Sequence, residues 1–276
     1  MPKHLLEQLE ERAAALSDEA LAKEGETAGT QGVHKAQTYT DFVNKELILF
    51  SHHHNQRSIA SAVDGLKPGQ RKVLFSCFKK KLTFEMKVAQ LAGYVSEQAA
   101  YHHGEVSLHR TIVNMAQDFV GSNNVPLLLP VGQFGTRLSG GKDAASARYI
   151  YTTLNPITRA IFREEDDPIL TYLSEDGMSI EPEHYIPVIP MVLANGCVGM
   201  GTGFSTHVPC YNPLDLIEYA ELRLRNEAGS PPENFEQLPP WYAGFTGYIA
   251  PHAEGTFAVY GRVSPMGDVD AYEITE

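Results

Sequence analysis

Cysteine is scarce in this sequence, and long apolar runs are missing from it. The three cysteines, Cys77, Cys197 and Cys210, are odd in number and do not have the spacing of metal ligands. They indicate a reduced, intracellular protein rather than a disulfide-stabilised secreted one. No apolar stretch is long enough to cross a bilayer, and the opening residues MPKHLLEQLEERAAAL lack the apolar centre of a signal peptide. We therefore expect no membrane partner.

Basic charge is also scarce, with 22 Lys and Arg against 34 Asp and Glu and a net charge of −12. Such a balance at first argues against a nucleic-acid partner. The basic residues are concentrated, however, because residues 45–150 contain 13 basic and 7 acidic side chains whereas residues 151–276 contain 5 and 19. The middle block is therefore where a nucleic acid would bind. Ordinary fluctuation of charge along the chain is the alternative.

The length of 276 residues suggests one large domain or two ordinary ones. Apolar residues at helical spacing predict a helix within residues 1–25, and the small polar residues of 25–32 predict a linker. We expect an acidic N-terminal extension and linker over residues 1–37. Thr40 or Asp41 is then expected to cap the first helix of the domain that follows.

Three further helices joined by tight turns are predicted in the middle of the chain. They cover about residues 70–80, 87–100 and 105–119, and extended sequence rich in glycine and proline follows over 126–141. This order is typical of a winged-helix DNA-binding unit, in which the last helix enters the major groove. We expect this unit to occupy residues 38–185.

The C-terminal part has a different pattern, with more strands and turns. We predict extended chain over 186–193, a glycine-rich turn over 195–203, a helix over 213–226, and strands over 245–249 and 256–261. The whole chain is therefore predicted to have an α+β fold, with a β-rich domain over 186–276.

Tyr149 is the candidate nucleophile, at the end of the run GGKDAASARY. By itself this is a weak signal, because the chain has 13 tyrosines and most tyrosines are core or surface residues. The small residues before Tyr149 allow the backbone to approach a ligand closely.

A series of motifs around Tyr149 is much more specific. They are DGLKPGQRKVLF (64–75), KVAQLAGYV (87–95), YHHGE (101–105), FVGSNN (119–124), GQFGTR (132–137), GGKDAASARYI (140–150) and IPMVLANGCVGMGTG (189–203). In this order they closely resemble the DNA breakage-reunion core of eukaryotic type II DNA topoisomerases, over about residues 38–276. Bacterial gyrase-type subunits usually carry His in place of Gln70 and differ over residues 194–203, so the eukaryotic type fits better. In this family the β-rich domain is called the tower.

The resemblance implies a role for several residues. Tyr149 would be the nucleophile that attacks DNA, Arg148 would stabilise the transition state, and His103 would lie near the cleaved phosphate. Arg57 would contact the DNA backbone or support the active site. The residues implied to contact DNA are Lys67, Arg71, Lys72, Tyr101, Ser107 and Met200.

Alternatives remain for some of these residues. Arg71 and Lys72 could equally form a solvated helix face, and the run 79–81 could be a solvated helix end. Met200 replaces the isoleucine that the family inserts between base pairs, and packing against a neighbouring strand is its alternative.

The resemblance also implies cofactors and partners. Mg²⁺ and ATP would be bound by domains that are absent from this chain, and we expect no metal site in it. Asp268 and Asp270 have the spacing of a metal-binding pair but the wrong position. We expect double-stranded DNA as substrate, a homodimer through the full-length enzyme, and a nuclear location. The isolated chain is expected to be inactive, and a non-catalytic DNA-binding or assembly module is the competing hypothesis.

Overall fold

The computed structural model describes residues 37–225, 238–253, 255–265 and 272–274. The predicted helix in residues 1–25, the predicted linker and the Asp268–Asp270 pair lie outside these ranges. The chain divides into two compact units, one containing Met1–Gln56 with Gly201–Phe204 and the other containing Arg57–Met200 with Ser205–Glu276. The domain boundaries expected from the sequence remain predictions.

The described part of the first unit is dominated by one helical stretch. It begins with α1 (Tyr39–Asp41), continues through π-helical turns over Phe42–Leu47, and passes into α2 (Ile48–Ser58), whose last two residues, Arg57 and Ser58, belong to the second unit. The N-cap is Thr38, whose hydroxyl accepts a hydrogen bond from the Asp41 N–H at 3.1 Å. The prediction that Thr40 or Asp41 caps the helix was therefore wrong, because Thr38 is the residue with the extended backbone that a cap requires.

The second unit begins with three helices and a small antiparallel sheet. The helices are α3 (Pro68–Lys80), α4 (Val88–Gln98) and α5 (Glu105–Ala116), and the strands are β1 (Met86–Lys87), β2 (Leu128–Val131) and β3 (Tyr151–Leu154). Strand β3 lies in the centre, in the order β1-β3-β2. The three helices that the sequence predicted over about residues 70–80, 87–100 and 105–119 are confirmed as α3, α4 and α5, whereas the sheet was not predicted. Pro68 begins α3 because its fixed φ and missing N–H suit a first helical position.

The apolar faces of these three helices form the core. Their fully buried side chains include Val73, Leu74, Val88, Leu91, Val95, Leu108 and Ile112. The same cluster continues into Tyr185, Ile189, Met191 and Leu216. The packing therefore extends without interruption across the expected boundary between residues 185 and 186.

The remaining elements are mostly hairpins joined by short helices. In chain order they are α6 (Pro156–Ile161), a 3₁₀ helix (Glu164–Ile169), β4 (Tyr172–Glu175), β5 (Met178–Pro182), α7 (Met191–Ala194), β6 (Cys197–Met200), β7 (Ser205–Val208), α8 (Pro213–Arg225), β8 (Tyr248–Ala253), β9 (Thr256–Tyr260), β10 (Val263–Pro265) and β11 (Tyr272–Ile274). The prediction of extended chain over 186–193 was wrong at its end, where Pro190 is followed by the single turn of α7. The predicted helix over 213–226 and the predicted strand over 256–261 are confirmed as α8 and β9, whereas the strand predicted over 245–249 begins only at Tyr248 and continues to Ala253 as β8.

All three cysteines are free thiols. Burial raises the pKa of the Cys77 thiol to about 12 and that of Cys210 to about 11. Both are therefore neutral and unreactive near neutral pH. Within the described ranges no helix combines the length and apolar character needed to span a membrane.

A buried ion pair ties the second unit together. The carboxylate of Asp64 has no exposed surface and accepts hydrogen bonds from the Arg71 guanidinium at 2.7 and 3.0 Å. It also accepts from the backbone N–H groups of Leu66 and Tyr185, each at 3.0 Å. The carboxylate oxygens thus have four donors, which offsets the cost of removing the charge from water.

Two expectations from the sequence fail for Arg71 and for its neighbour on α3, Lys72. The cationic groups of both side chains bind partners inside the protein. Arg71 is 6% exposed, so the proposals of a DNA contact and of a solvated helix face are both wrong for it. Lys72 donates from its ammonium to the Ala99 carbonyl at 2.6 Å and to the buried carboxylate of Glu181 at 2.9 Å. Both cations are held by internal partners because they lie on the side of α3 that faces the protein.

Replacing Asp64 with Asn is expected to lower the free energy of unfolding by about 3–5 kcal/mol, because it leaves the buried Arg71 charge without its counterion. Urea unfolding followed by circular dichroism measures this change. The matched control is Asp41→Asn, which removes one partner of the exposed Asp41–Lys45 pair and should leave the unfolding midpoint where it is. Equal midpoints for both variants would show that the buried pair does not stabilise the fold.

Candidate active site

Tyr149 lies on a loop that is anchored by its backbone. The Ala147 carbonyl accepts a hydrogen bond from the Ala89 N–H at 3.1 Å, and the Ile150 carbonyl accepts one from the Val88 N–H at 3.0 Å. These two amides belong to the first turn of α4 and have no partner within the helix. Ile150 is 1% exposed, whereas Tyr149 is 73% exposed. The loop is therefore fixed on both sides of a tyrosine whose phenol faces solvent.

Arg148 shares this loop and is also exposed. Within the described part of the chain, no carboxylate forms a salt bridge with Arg148. Its guanidinium can therefore meet an incoming anion without first breaking an internal ion pair. Arg148 and Tyr149 thus present a cation and a phenol from adjacent positions.

Side-chain hydrogen bonds stabilise the loop that precedes Tyr149. Thr136 donates to the Asp143 carboxylate from its N–H and from its hydroxyl, each at 2.8 Å. These two bonds, the backbone one first, hold the pKa of Asp143 below its usual range. The buried amide of Gln117 donates to the carbonyls of Phe134 and Gly141. Gly141 has a φ of +76°, and a Cβ there would lie 2.3 Å from the Gln117 amide nitrogen, so this position requires glycine.

The motif YHHGE forms the turn before α5. Tyr101 is half-buried, and the ring of His103 meets it edge-on with 5.5 Å between centroids. His103 and Ser107 are exposed, and the Ser107 N–H donates to the Gly104 carbonyl at 3.0 Å. His102 contacts the Glu175 carboxylate at 2.6 Å. The predicted residues Tyr101, His103 and Ser107 are therefore brought together around the start of α5.

Lys67 and Met200 are related through the β6–β7 hairpin. Lys67 is the N-cap of α3, and its N–H donates to the side-chain oxygen of Gln70 at 2.8 Å. Its ammonium donates to the Val198 carbonyl in β6 at 2.9 Å. Met200 ends β6, pairs with Ser205 and is 77% exposed. The structure thus gives the Lys67 side chain a partner in the hairpin that carries Met200.

The predicted residues lie on six parts of the chain: the end of α2 for Arg57, the turn before α3 for Lys67, α3 itself for Arg71 and Lys72, the start of α5, the Tyr149 loop, and β6 for Met200. Arg57 is exposed in the last turn of α2. Sequence reasoning missed Gln117, which braces the loop before Tyr149. It lies outside the matched motifs, and no local pattern distinguishes a buried bracing amide from a surface one.

The described residues do not fit a metal ion. No group of three or more His, Cys, Asp or Glu side chains within the described ranges is arranged to hold one. We therefore assign the Mg²⁺ implied by the resemblance to none of these residues.

Comparison with known proteins gives the same family as the motifs. The family of the A-type subunits of DNA gyrase and topoisomerase IV matches residues 57–276. The chain is 54% identical over 254 residues to the mitochondrial DNA topoisomerase 2 of Dictyostelium discoideum, and 56% identical over 237 residues to DNA topoisomerase 2 of Saccharomyces cerevisiae. These alignments cover 91% and 86% of this chain but 19% and 16% of the relatives. The chain thus spans less than a fifth of their length.

A solved structure agrees with this result. The crystal structure of the Plasmodium falciparum topoisomerase II DNA-binding, cleavage and re-ligation domain matches with a TM-score of 0.79 and 49% identity, over 94% of this chain and 35% of that one. The eukaryotic resemblance predicted from the motifs is confirmed, and the α+β fold with it. The chain therefore belongs to the type II DNA topoisomerase family and is similar to the DNA-binding and cleavage region of its eukaryotic members.

Proposed function

We propose that this chain carries the nucleophile of the DNA gate of an ATP-dependent type II DNA topoisomerase. Tyr149 would attack a DNA phosphodiester and form a reversible 5′-phosphotyrosine double-strand break, through which a second duplex passes. The observation that carries the proposal is the exposed Tyr149–Arg148 pair on a loop whose backbone is anchored to α4. A nucleophile needs to be accessible and fixed at once, and this loop meets both requirements.

The chemical step is a transesterification. The phenol oxygen of Tyr149 loses its proton and forms a bond to phosphorus, while the bond from phosphorus to the 3′ oxygen breaks and that oxygen takes up a proton. Religation is the reverse reaction, and the exchange of one phosphodiester for another conserves the bond energy. Arg148 would pair with the phosphate and stabilise the charge that develops on its oxygens in the transition state.

The remaining residues would position the DNA. His103 would lie near the cleaved phosphate, and Arg57 would contact the backbone close to it. Tyr101, Ser107 and the N–H groups at the start of α5 would bind further phosphates. Arg71 and Lys72 are left out of this set because their cationic groups bind internal carboxylates.

Met200 would bend the DNA. An exposed apolar side chain at the end of a hairpin strand can enter a base step and unstack it. Methionine is unbranched and flexible, so it can take the place of the isoleucine found in the family.

Other properties of the complete enzymes are also part of this proposal. Mg²⁺ and ATP would act in modules beyond the region matched here, the assembly would be a homodimer, and the location would be nuclear. One of the relatives is named as mitochondrial, so the location needs its own measurement.

Replacing Tyr149 with Phe should abolish the covalent adduct, because phenylalanine has no oxygen nucleophile. The 276-residue chain is supplied with a metal-binding module from a relative, Mg²⁺ and supercoiled DNA, and protein attached to DNA 5′ ends is measured. Tyr151→Phe, in β3, is the matched control and should keep the adduct. An adduct that survives Tyr149→Phe would refute the assignment, and a parent chain that binds DNA without forming any adduct would favour the non-catalytic binding module.

Replacing Arg148 with Ala is expected to slow cleavage about 10²–10³-fold, because one donor to the developing phosphate charge is lost. Arg148→Lys should fall between parent and Ala, since it keeps the charge without the bidentate fork. Single-turnover cleavage rates measure the effect, and Arg225→Ala serves as a control for loss of one exposed positive charge. A rate within twofold of the parent, roughly, would remove Arg148 from the transition state.

Replacing Met200 with Ala should reduce the DNA bend by roughly 20° or more, because alanine is too short to unstack a base step. Fluorescence energy transfer between the ends of a short duplex measures the angle. Val198→Ala truncates another exposed apolar side chain of the same strand and should leave the angle unchanged. An unchanged bend in Met200→Ala would exclude insertion.

A further inference from the structure

We propose that Lys67 is a positioning residue that sets the angle of the Met200 hairpin, rather than a phosphate contact. This inference rests on the proposed function, because it concerns how the hairpin bends DNA. It follows from three features of the second unit: the partner of the Lys67 ammonium, the packing of Gly199, and the fixed position of the turn that carries Lys67.

The first feature is the bond from the Lys67 ammonium to the Val198 carbonyl at 2.9 Å. Val198 precedes Met200 by two residues in β6, which is a distance of ~7 Å along the strand. A charged donor on a backbone carbonyl is among the stronger hydrogen bonds. The hairpin strand is therefore held close to the residue that would enter the DNA.

The second feature is the close approach of β6 to Ser58 and Ile59, which belong to the same unit. Gly199 is buried, and a Cβ on it would lie 2.4 Å from the Ser58 carbonyl oxygen and 3.2 Å from the Ile59 Cα. The strand thus rests directly on backbone at the residue between Val198 and Met200. The Lys67 bond and this contact fix β6 at adjacent residues, Val198 and Gly199. Together they restrict the distance between the strand and Ser58 and also the tilt of the strand.

The third feature is that Lys67 itself cannot shift easily. Its own N–H is bound by Gln70, and the next residue back, Leu66, is 4% exposed with its N–H on the buried carboxylate of Asp64. A side chain that starts from a fixed turn and ends on a fixed carbonyl acts as a brace. A lysine that serves as a phosphate contact needs no such internal acceptor.

The two roles make different predictions for DNA binding. The plot of log K against log salt concentration has a negative slope. Loss of a phosphate contact makes this slope less steep by about 0.9, because one fewer counterion is released. Loss of a brace leaves this slope unchanged but loosens the hairpin and reduces the bend. Because the brace acts through Met200, its effect on the bend should disappear once Met200 is truncated.

The experiment compares Lys67→Met with the matched control Lys79→Met, an exposed lysine at the end of α3. Hydrogen exchange of the amides in residues 197–208 should quicken about fivefold in Lys67→Met and stay at the parent rate in Lys79→Met. Exchange in α5 is the internal reference for intact folding. Lys67→Arg should restore protection, since a guanidinium can donate to the same carbonyl, and Gly199→Ala should loosen the hairpin independently.

DNA binding then decides between the roles. We expect Lys67→Met to keep the parent salt slope, to reduce the bend, and to reduce it no further when combined with Met200→Ala. Unchanged hairpin exchange, a slope less steep by about 0.9, or a further loss of bend in the double variant would each overturn the brace. A parent chain that fails to bind DNA would instead refute the proposed function, and the exchange measurement would still test the brace.

Discussion

The carboxylate of Asp64 is the interaction on which the arrangement of the second unit depends. It joins three parts of the chain: the guanidinium of Arg71 in α3, the N–H of Leu66 before the Lys67 turn, and the N–H of Tyr185, which lies 121 residues further along. All its donors are provided by the protein, so the charge can be buried without leaving an unpaired partner. The turn that carries Lys67 takes its position from this carboxylate, and the hairpin that carries Met200 takes its position from the turn.

The Tyr149 loop is held mainly through backbone groups next to Tyr149 and through side chains earlier in the loop. A nucleophile has to be exposed, yet an exposed loop is ordinarily mobile. Here the carbonyls of Ala147 and Ile150 satisfy the first amides of α4, and the Thr136–Asp143 bonds brace the segment before them. The anchoring uses no atom of the Tyr149 or Arg148 side chains. Both side chains remain free to contact a ligand, because the hydrogen bonds that hold the loop are made by neighbouring residues.

What could be predicted from the sequence depended on how far apart along the chain the interacting residues lie. Helical periodicity located α3, α4 and α5, and the motif series located Tyr149, because both are local patterns. The burial of Arg71 could not be predicted in this way, since its partner Asp64 also accepts a hydrogen bond from the Tyr185 N–H, which comes from a distant part of the chain. The same holds for Gln117, whose acceptors at Phe134 and Gly141 are set by tertiary packing. The Thr38 cap differs, because the prediction of Thr40 or Asp41 was a local error of two or three residues.

The charge of the middle block has to be reinterpreted in the same terms. Its net positive charge coincides with the part of the chain that holds the Tyr149 loop, but a count of lysines and arginines treats every cation as available. Arg71 and Lys72 are neutralised by buried carboxylates, and the Lys80 ammonium lies 4.2 Å from the centre of the Tyr94 ring. Cations held inside the fold contribute to stability and to geometry, whereas attraction of a polyanion depends on those that face solvent. Arg148, exposed beside Tyr149, is therefore a better candidate for contact with a phosphate than the net charge of the block around it would indicate.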